Sequence, residues 1–248
     1  MVSGGIDLSI PSVMMLSGCI GALVMRQTNN ILLGILSIMA VAVLAGLFNG
    51  LSVAKLKINA FVATMITMLI ANGLSLKVTK SSSIPVPQEF TGLFGKYYGP
   101  IHANIAVMIV CLIVLQFVLT KTGFGRCIYA IGTNEKSAQA CGIKTDKVKI
   151  QVFLISGVLS GIAAIVLTAR IASSSLSLAS DSTSLDVIAA AIVGGASIKG
   201  GVGTAVGAFA GAFIINGLSN LLVLFDIDYY SIQIIKGMVF IFITYFDT

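Results

Sequence analysis

Four long stretches of this chain contain no Asp, Glu, Lys or Arg: Gln27 to Ala54, Tyr97 to Thr120, Ile150 to Ala169 and Gly200 to Phe225. Leu8 to Met25 and Ile58 to Leu76 are shorter runs of the same kind. About 20 apolar residues in a helix cross a hydrocarbon core, so these stretches have the length of membrane spans. Composition agrees. Charged residues make up 10% of the 248, where a soluble domain carries about 25%. A chain this apolar cannot cover a surface that faces water. The expected fold class is all-α: a polytopic membrane protein of roughly 7–8 membrane helices. The spans fall near 8–25, 31–54, 58–76, 101–119, 150–169, 204–224 and 231–246, in a single transmembrane domain over residues 1–248. The short apolar stretch from Leu185 to Ala196 reads as half a helix that breaks at Gly194-Gly195.

Loop charges orient these spans. Residues 120–149 carry six basic residues against Glu135 and Asp146, so this loop is expected in the cytoplasm. Residues 171–186 and 225–231 carry Asp181, Asp186, Asp226 and Asp228 with no Lys or Arg, and are expected outside. The net charge of +6 follows from this asymmetry, and no nucleic-acid partner is expected. One loop resists the rule: residues 77–100 fall outside, yet hold Lys77, Lys80 and Lys96 against Glu89. Lys77 and Lys80 suit cations that snorkel from a helix end. Pro85, Pro87, Gly92, Gly95 and Gly99 predict irregular loop there. Tyr97, Tyr98, Tyr229 and Tyr230 stand at span edges, as an aromatic belt predicts. Asp7 stands where a signal peptide needs basic residues, so no cleavable signal is expected.

Several chemistries are excluded by spacing. The glycine-rich segment 194–211 lacks a nucleotide pattern, because Lys199 is followed by Gly200-Gly201-Val202 where a P-loop needs Lys then Ser or Thr after its second glycine. The run Gly201, Gly203, Gly207 is one residue too long for a dinucleotide fingerprint. Gly203, Gly207 and Gly211 recur every fourth residue, which predicts a helix face that a neighbour approaches closely. Gly194, Gly195, Gly200 and Gly201 predict a break and turn, which at membrane depth must be buried in protein or line a wet cavity. The four cysteines form no C-x-x-C pair and His102 is the only histidine, so neither a metal site nor a cofactor is expected. The same scarcity argues against an intramembrane enzyme.

Within the cytoplasmic loop, Asn134 is a good N-cap, Glu135 suits the positive end of a helix dipole, and Gly142 suits a terminator. These predict a two-turn helix over 135–141 outside the membrane, either docking in a partner's groove or contacting lipid headgroups. Asp7, Asp186 and Lys236 lie at or inside membrane ends. There they line a cavity, meet a partner, or anchor at the interface.

At this point the sequence resembles a family: the permease subunits of ribose-type ABC sugar importers, within the branched-chain amino acid and monosaccharide permease superfamily. The similarity rests on Gly5-Ile-Asp-Leu-Ser9, on Gly123-Phe-Gly-Arg126 with Tyr129-Ala-Ile-Gly132, Asn134-Glu135 and Gly142-Ile143, and on Arg170. It rests most on Leu185-Asp186, Ile188-Ala-Ala190, Gly194-Gly195, Ser197, Gly200-Gly201 and Gly203-Thr204. The resemblance implies a multi-pass protein of the inner (plasma) membrane that passes a monosaccharide. It implies that the 120–149 loop holds a coupling helix for a separate ATP-binding subunit, with Gly132, Asn134, Glu135, Ala138 and Gly142 at that contact. It implies a second permease protomer and an extracytoplasmic solute-binding protein. Relatives carry further spans before the Gly5–Ser9 segment, so the chain is expected to be truncated at its N-terminus. They often carry Glu where Ser184 stands. Asp7, Asn72, Asp186, Gly194 and Gly195 are the candidates for the path or its gate. Asn49, Asn72, Asn216 and Asn220 suit either sugar hydroxyls or bonds between helices. The competing class is a self-sufficient secondary transporter or channel, which calls for a charged relay or an inverted repeat within the spans.

Overall fold

The structure, a computed structural model, describes residues 1–95, 97–98, 101–175 and 181–246. It is helical throughout, with two 2-residue strand pairs. Among the described residues, six helices are long and apolar enough to cross a membrane. These are α1 (Ile10–Thr28), α2 (Ile31–Ala54), α3 (Ala60–Thr79), α5 (Ala103–Lys121), α8 (Thr145–Ile171) and α10 (Ala205–Leu224). Shorter helices are α4 (Gln88–Phe94), α6 (Gly123–Thr133), α7 (Glu135–Ala140) and α9 (Asp181–Val193), and α11 covers Tyr229–Phe246. Six of the seven expected spans are therefore found, with ends shifted by a few residues, while the seventh, near 231–246, falls in α11, which is not among the six.

The chain divides into two compact units. One comprises Asp7–Ile113 and Lys144–Ser184. Its frame is α1, α2, α3 and α8, and its closest crossing is between α2 and α8. That crossing is made by glycines: a Cβ on Gly46 would sit 2.5 Å from the Phe153 carbonyl oxygen, and one on Gly157 2.5 Å from that of Ala42. Without a Cβ on either helix the backbones approach closely, the usual device where no water drives helices together. The interior is small and polar as much as apolar. Ser17, Asn49, Thr64, Ser75 and Thr168 are fully buried, while Leu32, Leu36, Leu44 and Phe48 on α2 point outward. Lipid-facing Leu and Phe over a Ser/Thr/Asn interior inverts the pattern of a water-soluble bundle.

The 77–100 segment departs from the expected irregular loop. α3 runs on to Thr79 with Lys80 as a left-handed cap, and β1 (Ile84–Pro85) pairs antiparallel with β4 (Ser173–Ser174). Then α4 forms behind Pro87, with Glu89 in its first turn. The helix holds because Phe90 is completely buried in a cluster with Met25, Ile38 and Ile165. Tertiary burial outweighs the local turn chemistry. β2 (Tyr97–Tyr98) pairs with β3 (Ile101–His102) just before α5. Lys96 and Gly99 lie outside the described residues.

The second unit comprises Met1–Ile6, Val114–Ile143 and Leu185–Thr248. It holds α6, α7, α10, α11 and most of α9. Here α9 packs on α10, with Ala189 and Ala190 against Ile215 and Ala212.

Candidate functional site

The glycine segment lies in the second unit. α9 stops at Val193, and the chain turns through Gly194 and Gly195, the latter at φ +82. Gly200 and Gly201 follow at φ +89 and +77, a region open to glycine at little cost. The turn then returns as α10, whose first amides are all met. Thr204 Oγ1 accepts from Gly207 N at 2.9 Å, and Gln116 Oε1 accepts from Ala205 N at 3.0 Å. Gly207 and Gly211 lie against the end of α9, where a Cβ would strike the carbonyl oxygens of Gly194 and Ala190. Gly203 does not belong to that face: it precedes α10 at φ +145, and its carbonyl accepts from Tyr129 Oη at 2.6 Å.

This loop meets the 120–149 segment largely through backbone atoms. Gly201 N donates to the Val2 carbonyl at 2.8 Å. A Cβ on Gly132, near the end of α6, would collide with that same carbonyl and with Gly201 N. A Cβ on Gly200 would sit 2.7 Å from Gly4 Cα and 2.9 Å from the Gly132 carbonyl oxygen. Three segments therefore meet largely through backbone atoms: Val2–Gly4, the end of α6, and the glycine loop, with the Thr133 hydroxyl against Gly201 and the Val2 side chain against Gly203.

α7 starts directly after α6. Asn134 caps it, accepting from Ser137 N at 3.0 Å, and Gly142 follows its end at φ +83. The helix spans Glu135–Ala140, close to the expected 135–141. Among the five coupling candidates, Asn134 and Gly142 are exposed, Glu135 is half-buried, and Gly132 and Ala138 are buried. Ala138 and Gly132 thus hold the element in place, while Lys136, Ser137, Gln139 and Ala140 form its open surface. α6 itself escaped the sequence reading. Its signals were Thr122, whose hydroxyl accepts from Gly125 N at 3.1 Å, and the buried stripe of Gly125, Ile128, Ile131 and Gly132. Three glycines in eleven residues obscured them.

Asp186 on α9 pairs with Lys236 on α11, Nζ to Oδ2 at 2.9 Å. Lys236 is only 16% exposed, so the cation has left most of its water and meets a carboxylate instead. At the loop before α11, Asp228 accepts from Ser231 Oγ at 2.6 Å and Ser231 N at 3.0 Å. These bonds hold its carboxyl below the ordinary carboxylate range.

Asp7 belongs to the first unit. Residues 5–9 are not helical, and α1 begins behind them with Pro11 in its first turn. Such backbone inside a membrane protein needs side chains as partners. Asp7 Oδ1 accepts from Ser9 N (3.0 Å) and Ser9 Oγ (2.6 Å), and Asp7 Oδ2 from Ser156 Oγ on α8 (2.8 Å). Ser9 Oγ in turn accepts from Asn49 Nδ2 at 2.8 Å, and Asn49 Oδ1 from Thr67 Oγ1 at 2.5 Å. Leu8 N donates to Thr64 Oγ1, and Ser184 Oγ donates to the Leu8 carbonyl, both at 3.2 Å. The serine that replaces the expected Glu thus satisfies a buried carbonyl. Asn49 serves helix bonding, and Asn216 Nδ2 bonds its own helix at the Ala212 carbonyl. Asn72 is half-buried and joins neither network.

The family model described as "Branched-chain amino acid transport system / permease component" matches residues 1–244. This chain belongs to that permease family. Its relatives include the ribose import permease protein RbsC of Haemophilus influenzae, 38% identical over 95% of the permease and 74% of the relative. The L-arabinose transport system permease protein AraH of Escherichia coli is 34% identical over 100% and 75%. The RbsC of Bacillus subtilis is 36% identical over 100% and 77%. No solved structure matches the permease. It is a helical, multi-pass membrane protein, as its apolar runs require.

Proposed function

We propose that this chain is the membrane-spanning subunit of an ABC importer for a monosaccharide of the ribose or arabinose kind. ATP hydrolysis belongs to a separate ATP-binding subunit, in keeping with the missing P-loop. A second permease protomer completes the path, and an extracytoplasmic solute-binding protein delivers the sugar. The relatives named above support the substrate class. One observation carries the mechanism: the capped helix α7 follows directly on Gly132, which touches Gly200, Gly201 and Val2 through backbone atoms. Displacement of α7 by the ATP-binding subunit is thereby passed to the turn at Gly194–Gly201 through close backbone contact. Asp7 and Asp186 act as positioning groups for the helix ends that flank the path. The sugar crosses unaltered.

The test is affinity purification of the tagged chain in mild detergent from its native membranes, with mass spectrometry of what accompanies it. An ATP-binding subunit at near-equal amount is the expected result, and its loss with Ser137→Trp or Gln139→Trp on the open face of α7. A folded sample without such a partner would overturn the reading. So would full sugar uptake by both tryptophan variants.

A further inference from the structure

α8 rises from the basic cytoplasmic loop and carries Arg170 in its last turn, on the side where basic residues are least common. Arg170 is exposed, and among the described residues it has neither a carboxylate nor a hydrogen-bond partner. Two cavities share its side chain with His102 and Asn104, one of about 750 Å³ and one of about 390 Å³. Among the described residues Asn104 Oδ1 is buried there with no donor, although its backbone N–H donates to His102 Nδ1 at 3.4 Å. A buried amide oxygen without a donor is costly and marks an expected ligand contact.

The two cavities differ in chemistry. The larger runs down between α5 and α8, past Met108, Cys111, Ala163 and Val166, as far as Leu159. From Arg170 to Leu159 the helix rise gives a groove about 16 Å deep. All polar groups stand at its mouth. The smaller cavity, beside Thr91, Gly95 and Ala172, opens from that mouth. A monosaccharide needs hydrogen bonds around its whole rim, and the lower groove offers none. A carboxylate on a soluble partner would pair with Arg170 and leave the groove empty. A long hydrocarbon chain under a phosphate fills both.

We propose that this place binds a phospholipid of the outer leaflet, with one acyl chain in the α5–α8 groove and the headgroup in the smaller cavity. Arg170 takes the phosphate through charge-assisted hydrogen bonds. Asn104 Oδ1 takes a donor from the headgroup, an ethanolamine ammonium or a glycerol hydroxyl. Phosphatidylcholine has no such donor and is the natural control.

The experiment uses the full chain in nanodiscs of dioleoyl phosphatidylethanolamine, phosphatidylglycerol and phosphatidylcholine in equal parts, with native mass spectrometry of the lipids retained after release. Phosphatidylethanolamine or phosphatidylglycerol is expected to be retained over phosphatidylcholine. Loss of one charged hydrogen bond amounts to about tenfold in affinity, so Arg170→Gln should lower retention by that order. Ala163→Phe fills the groove without touching the headgroup contacts, and should lower retention of all three lipids. Wild-type retention by both variants would overturn the proposal. So would displacement by glycerophosphoethanolamine as effective as by the whole lipid, because the acyl groove would then be idle. A photo-crosslinker at position 170 that captures the soluble binding protein in place of lipid would also overturn it.

Discussion

Lys236 Nζ stands 2.9 Å from Asp186 Oδ2, so one ion pair ties α11 to α9 just ahead of the glycine turn. Removing one partner leaves the other charge partly buried and unpaired, which costs several kcal/mol when burial is complete. With Asp186 about a third exposed, a loss of about 2 kcal/mol is expected for Asp186→Asn. The charge-swapped double variant, Asp186→Lys with Lys236→Asp, should recover most of it. Thermal unfolding in detergent reads both. Equal stability of the Asp186→Asn protein and the wild type would show that the pair contributes nothing.

Gly132→Ala places a methyl group into the Val2 carbonyl and Gly201 N. Overpacking of this kind costs about 1–3 kcal/mol. The junction is expected to part, and the variant should still reach the membrane while sugar uptake falls and ATP hydrolysis no longer responds to the binding protein. Gly142→Ala is the contrast, since no heavy atom stands near its absent Cβ. The strain there comes from the left-handed φ alone. It should lower uptake much less.

Asn49 bridges Ser9 and Thr67 at 2.8 and 2.5 Å. Asn49→Leu removes both bonds in a buried place, so about 2–4 kcal/mol of stability should be lost. Asn216→Leu, on an exposed site bonded only to its own helix, should lie within about 0.5 kcal/mol of the wild type. A thermal shift comparison of the two variants decides it.

Asp228 caps α11 through Ser231. Its folded pKa is depressed, so its contribution is fully present above the unfolded value of about 3.9 and is lost as pH falls through the folded value. The protection of amides in the first turn of α11, relative to the intrinsic exchange at each pH, should therefore fall below about pH 4 in the wild type. That protection should be flat with pH in Asp228→Asn, which keeps a capping oxygen and does not titrate.

The spans were legible because bilayer thickness sets a length that charge-free runs must meet. Helix α7 was legible because Asn134 and Gly142 bracket it, and capping is local chemistry. What stayed hidden depended on burial across the chain. α4 reads as turn until Phe90 is seen in its cluster, and α6 reads as glycine-rich linker until Ile128 and Ile131 are seen inside. At the candidate site, Asp186 could be marked as a charge needing company, but Lys236 lies 50 residues away in sequence. Relatives often carry Glu before Leu185, and the sequence could not say that Ser184 there meets the Leu8 carbonyl, 176 residues away. Ala138 was grouped with its neighbours by sequence order, and helix rotation turns it inward.

Three close crossings here set an absent side chain against a carbonyl oxygen: Gly46 against Phe153, Gly157 against Ala42, Gly132 against Val2. Every residue type supplies the same carbonyl. Shrinking Phe153 or Val2 therefore relieves nothing when the glycine opposite gains a methyl group. A suppressor screen begun from Gly46→Ala or Gly132→Ala should return only true revertants or changes that shift whole helices, and never a smaller residue at the facing position. At these junctions half of each contact lies beyond the reach of mutation, and two lineages that differ freely at Val2 would still share the glycine it touches.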